Sequence, residues 1–176
     1  MEIVNDIMRE ELAEHIGKHD IKIIVKSIDA KSIEMLYSLL FDEDKRVSDN
    51  AAWVLTHIPL NQRQNLNQHH DEMIDEALRT TSVTKQRLIL RLLDDQEFPA
   101  EEVRTDFLDF CLERIVDSDA SCGVRSLAIK LAYKQCLHYP ELLQELRETL
   151  EILDVDTLSR GLAHARNKAL QTIKKQ

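Results

Sequence analysis

The chain has 176 residues, 43% hydrophobic and 31% charged, and a net charge of −9. That is enough apolar material for one folded domain burying roughly 70% of its unfolded surface, and it excludes an intrinsically disordered chain. Only three glycines and three prolines occur, and no β-branched run is bounded by turn residues, so the expectation is an all-α protein.

In chain order, residues 1–30 read as an N-terminal helical cap. Val4, Met8 and Leu12 share one face of a helix predicted to end near Gly17, and Ile21, Ile24, Val25 and Ile28 mark a shorter one. The start lacks the apolar core of a signal peptide and no stretch approaches the twenty or so residues that cross a bilayer, so a cytoplasmic protein without a membrane role is expected. Asp29 signals the next helix start, followed by Ile33, Leu36, Tyr37 and Leu40, then by Val47, Ala51 and Leu55 up to Pro59. The polar stretch Leu60 to His70 reads as a surface loop. Met73, Ile74, Ala77 and Leu78 predict a helix, and Thr84, Leu88 and Leu92 its partner. Pro99, with Glu101 in a favourable first turn, opens the helix of Val103, Phe107, Phe110, Cys111 and Ile115, and Val124, Ala128 and Ala132 mark the next. Pro140 and Glu141 begin the helix of Leu142, Leu143, Leu146, Leu150 and Leu153, and Ala165, Ala169 and Ile173 the last.

Pro59, Pro99 and Pro140 stand 40 and 41 residues apart, each between two helical patterns. A period near forty is the mark of stacked helix pairs. Val47, Thr84, Val124 and Ala165 align as one position, with Ala51, Leu88, Ala128 and Ala169 four residues on. The expected organisation is a single domain over 1–176, with a cap at 1–30 and helix pairs at 31–58, 71–95, 101–138 and 140–176. The segments Asp119, Val124, Arg125, Ala128, Leu131 and Asp42, Val47, Ala51, Ala52, Leu55 resemble HEAT repeats, an αα-solenoid family. The resemblance implies an αα-superhelix of the HEAT/armadillo kind, with about four helix pairs. It also implies that the aspartate and arginine, here Asp119 and Arg125, form a ladder between repeats.

Charge follows the same alternation. The second (B) helices of the pairs sum to +7 and the first (A) helices to −13. B helices line the concave face in HEAT-like stacks, so the resemblance implies a basic groove in an acidic shell. Trp53, Lys85, Arg91, Arg125, Lys130, Tyr133, Lys134, Arg166 and Lys168 are the candidate groove residues. A non-enzymatic module binding a protein or peptide, one that an acidic partner would suit, is the leading reading. The alternative is a nucleic-acid-binding protein related to the helical-repeat DNA glycosylases, disfavoured by the acidic total and the single tryptophan. No phosphate loop, HExxH or GxSxG motif occurs, so neither catalysis nor a cofactor is expected. Cys136, His138, His69 and His70 lack the paired spacing of a zinc site. Cys111, Cys122 and Cys136 are an odd set best read as reduced thiols, with Cys111 and Cys136 buried and Cys122 accessible.

Overall fold

The computed structural model describes residues 2–100 and 103–175, with side chains from Asp6 onward. Ten α-helices carry the fold, and no strand occurs among the described residues. No described helix is long and apolar enough to cross a membrane. The chain divides into two compact units, Met1–Asp95 and Gln96–Gln176.

The first unit holds α1 (Glu2–Ala13), α2 (Lys18–Ser27), α3 (Ala30–Leu39), α4 (Lys45–His57), α5 (His70–Arg79) and α6 (Val83–Asp94). Helix α4 is its hub, packing against α1, α2, α3 and α6. Its Val47, Ala51, Ala52, Val54 and Leu55 are completely buried, along with Leu36 and Leu40 near the neighbouring helix. Each such aliphatic side chain contributes about 1.5–3 kcal/mol on burial, and the two alanines permit close approach of the neighbours. Helix starts follow local chemistry. Asp29 caps α3 by accepting from the Ser32 amide at 2.8 Å, Asp44 caps α4, and Ser82 caps α6.

Three sequence expectations shift in this unit. Gly17 does not end α1, which stops at Ala13; it is the extended N-cap of α2, and its amide donates to Asp20 at 2.7 Å. The side chain of Val4 lies outside the described residues. The 60–70 stretch is no simple loop, because a turn over 59–63 leads into a 3-10 helix at Gln64–His69. Leu66 is buried there, and the equally buried Arg63 donates to Asp95 at 2.7 Å. Finally, the caps Asp44 and Ser82 lie 38 residues apart, so the counterpart of Val47 is Lys85 rather than Thr84. Thr84 faces solvent while Lys85 points inward.

The second unit holds α7 (Thr105–Val116), α8 (Cys122–Cys136), α9 (Pro140–Ile152) and α10 (Arg160–Ile173). Helix α8 is the centre, packed by α7, α9 and α10, with Ala128, Leu131 and Ala132 completely buried. Pro140 opens α9 as expected, since its missing amide lies where no intrahelical partner exists. Pro99 does not open α7. Phe98 stacks on Phe107 with centroids 6.4 Å apart, and the Tyr139 hydroxyl donates to the Ala100 carbonyl at 3.1 Å. Those contacts hold 98–100 against the unit, and α7 starts only after Arg104. Glu101 lies outside the described residues.

One device closes helices in both units. The last carbonyls of an α-helix have no intrahelical donors and need others when packed away from water. Arg125 Nε and Nη2 reach the Ile115 carbonyl at 3.1 and 2.9 Å, and Arg166 Nε reaches that of Leu150 at 2.7 Å. Gln86 donates to Ala77 at 3.0 Å, and Lys85 to Leu40 at 3.1 Å. Asn50 donates to Leu12 at 2.8 Å, and Arg46 to Ala13 at 3.3 Å, anchoring α1 on α4. Arg125 thus bonds to the preceding A helix, and Asp119 stays solvent-exposed.

Helix α1 is also held by Arg9, whose Nε and Nη2 meet Asp42 at 2.7 and 3.0 Å. That hydrogen bond holds the Asp42 carboxyl below the usual carboxylate range. A carboxylate depressed in the folded state stabilises it above an unfolded value of about 4, and the contribution fades as pH falls through the depressed value. Arg9→Gln should therefore lower the melting temperature at neutral pH. The deficit should close on acidification below pH about 4; a pH-independent deficit in thermal scans would assign the loss to packing alone.

The thiols follow the sequence expectation: Cys111 and Cys136 are buried and Cys122 is exposed. Burial pushes the Cys111 thiol far up and that of Cys136 to about 12, so neither offers thiolate near neutrality. Under native conditions a maleimide should label Cys122 alone, and all three in denaturant. Equally fast native labelling of the three would contradict the packing of α7 and α8.

Candidate partner-binding face

The nine residues singled out from sequence divide by what their side chains touch. Lys85 is buried; its ammonium lies 2.6 Å from Glu76, itself 3% exposed, and also donates to the Leu40 carbonyl. Arg79 shares the same Glu76 carboxylate. Arg125 and Arg166 are half-buried on the carbonyls described above. All three are therefore committed to holding helices together. Lys134, expected on an exposed surface, is half-buried: it donates to the Gln96 carbonyl at 2.8 Å and sits 5.9 Å over the Phe98 ring. Tyr133 is half-buried beside it on α8. Arg91 is exposed and stands 3.5 Å from both Asp94 and Asp95, while Lys130 and Lys168 are exposed.

Trp53 belongs to a different setting. It is half-buried on α4, edge-on to His57 with centroids 5.9 Å apart. It lines an open groove of about 740 Å³ between α4 and α6, with Lys45, Asp49, Asn50, Arg87 and Leu88. The charges of this groove are unequally compensated. Asp49 accepts from Lys45 and from the Ser82 hydroxyl, each at 2.7 Å, and Asp44 accepts the Arg46 and Val47 amides. Arg87 is exposed and makes no hydrogen bond or ion pair among the described residues. An aromatic surface therefore adjoins an uncompensated guanidinium, a combination able to take an apolar side chain and a carboxylate side by side.

Sequence reasoning passed over Arg87 because it belongs to no apolar frame. The capping serine was the available signal. Counted from Asp44 and Ser82, Arg87 corresponds to Asp49 and so shares the solvent-facing side of α6.

Elsewhere in this unit, His69 stacks on Tyr37 with centroids 4.0 Å apart. Its two ring nitrogens each lie 3.2 Å from a carboxylate, of Glu34 and of Glu72. The Tyr37 hydroxyl donates to Glu72 at 2.6 Å, which draws that carboxyl below its ordinary range. The cluster ties α3 to α5. No group of three or more His, Cys, Asp or Glu side chains among the described residues is arranged to hold a metal ion.

Comparison with curated proteins and with solved structures gives no significant match. A family model does match, over residues 8–173, which runs from the second half of α1 to the end of α10. With paired helices, capped B-helix starts and a B-helix arginine on the preceding A helix, the chain belongs to the HEAT repeat domain family.

Proposed function

We propose that this protein is a non-enzymatic scaffold that binds an extended segment of a partner protein in the α4–α6 groove. The observation that carries the reading is the pairing of a solvent-accessible Trp53 with an unpaired Arg87 across that groove. Helical-repeat scaffolds of this family are commonly used for protein interaction, and extended faces of stacked helices suit linear segments. Tryptophan and arginine are the residues most often found to dominate binding energy at such interfaces. Arg87 favours a carboxylate next to an apolar anchor, so the fitting segment is acidic and carries an aliphatic or aromatic residue.

Trp53 is the sole tryptophan, so its fluorescence reports the groove directly. A photo-reactive benzoylphenylalanine placed at residue 53 should cross-link the partner in the native cell, and the recovered partner supplies the ligand. Its titration should shift Trp53 emission. Arg87→Glu and Trp53→Ala should each weaken binding by about 2 kcal/mol or more without a matching loss of thermal stability. Full affinity in the double variant would move the binding function away from this groove.

A further inference from the structure

Helix α10 leaves most of its cations facing water, whereas α8, which also has no Asp or Glu, commits Arg125 and Lys134 to backbone carbonyls. Between Ser159 and Lys175 the chain has five Lys or Arg residues and no Asp or Glu, in a protein of net charge −9. Arg166 is taken up by the Leu150 carbonyl. Arg160, Lys168, Lys174 and Lys175 are exposed and make no ion pair among the described residues. By contrast Arg9, Lys45, Arg79, Arg114 and Arg147 each meet a carboxylate of the same chain.

These cations fall on one side. Arg160, His164, Lys168, Gln171 and Lys175 recur at intervals of three and four, and all are exposed, while Leu162 and Ala169 are buried on the opposite side. At 1.5 Å per residue the stripe runs about 22 Å. Helix energetics account for part of it only. Lys174 and Lys175 complement the negative end of the helix dipole, but Arg160 in the first turn opposes the positive end. The stripe thus retains a cation that folding does not favour.

We propose that this face of α10 binds the phosphate backbone of a nucleic acid, without reading its sequence. Lys and Arg together with His and Gln side chains are donors that phosphate oxygens accept, and a row of them matches a ligand whose charges repeat at short intervals. The surface lacks what other anionic partners use. None of the large exposed hydrophobic side chains lies on α10, so it has neither the anchor that a protein interface needs nor the wedge that an interfacial helix inserts into a bilayer. The groove at Trp53 belongs to the other unit, so this inference stands or falls separately from the protein-binding reading.

The test is fluorescence anisotropy with a labelled duplex of about 20 base pairs and a single strand of equal length, between about 50 and 200 mM salt. Four phosphate contacts give a slope of log K against log salt of about −3.6 for duplex and about −2.8 for single strand. Arg160→Gln/Lys168→Gln/Lys174→Gln/Lys175→Gln should lose at least about tenfold at the lowest salt and flatten the slope. Lys168→Glu alone, a single change at mid-helix, should lose part of the affinity should the quadruple variant melt early. Lys22→Gln/Lys26→Gln, which removes exposed unpaired lysines from α2, should bind as the parent does. Absence of salt-dependent binding, or equal losses in the α10 and α2 variants, overturns the proposal. Displacement of the duplex by polyglutamate at equal charge overturns it in favour of an acidic protein. Tighter binding to phosphatidylserine vesicles than to either strand overturns it in favour of a membrane surface.

Discussion

A helix packed inside a protein must find donors for its last carbonyls, and in this chain the following helices supply them. Arg125 and Arg166 close α7 and α9 in the second unit. Gln86 closes α5, Lys85 reaches the carbonyl at the end of α3, and Asn50 and Arg46 close α1 in the first. Each bond is made from the first two turns of a B helix; Gln86, Arg125 and Arg166 reach the A helix of their own pair, and Lys85, Asn50 and Arg46 reach an earlier helix. The constraint is electrostatic as well as geometric, because a cation at a helix C-terminus also opposes the dipole's negative end. It explains why the first two turns of the B helices carry so many nitrogen-bearing side chains.

The same constraint separates structural from functional charge. The excess of cations on B helices looks from sequence like one basic surface. Four of the seven candidate cations turn instead toward carbonyls or a buried carboxylate, namely Lys85, Arg125, Lys134 and Arg166. Among the described residues, the B-helix cations that face water without a partner include Arg87 in the α4–α6 groove and Arg160, Lys168, Lys174 and Lys175 of the α10 stripe. The first adjoins Trp53 and so has an apolar component; the second is polar throughout. The two proposals rest on that difference: an acidic peptide with an anchor residue for the one, and a repeating anion for the other.

Much of the fold was legible because helix faces and caps obey short-range rules. The alternation of apolar positions located all the paired helices, and Asp29 and Pro140 marked starts that the structure bears out. Errors came where tertiary contacts override local preference. Pro99 is a good helix opener, yet Phe98 on Phe107 and Tyr139 on Ala100 hold that segment out of a helix. Leu66 and Arg63 are buried within a stretch whose Asn and Gln content reads as a loop. The frame slipped by one residue in α6 because a leucine occupies either candidate face, Leu88 or Leu92 on one and Leu93 on the other, all buried. The serine cap resolves that ambiguity, since its hydroxyl accepts from the Lys85 amide at 3.3 Å. Arg87 was invisible for a simpler reason, as a solvent-facing cation has no periodic signature.

The central claim is that arginines on B helices stabilise the fold by closing the preceding A helices. Chemical denaturation of Arg125→Met beside Arg87→Met tests it most directly, because both substitutions remove a guanidinium from the first turns of a B helix. Hydrogen bonds from a charged donor contribute about 1.5–3 kcal/mol, so Arg125→Met should lose an amount in that range. Arg87→Met, on the solvent side, should stay within about 0.5 kcal/mol of the parent. Equal and small losses in the two variants would contradict the claim and leave apolar packing alone to hold the helix pairs together.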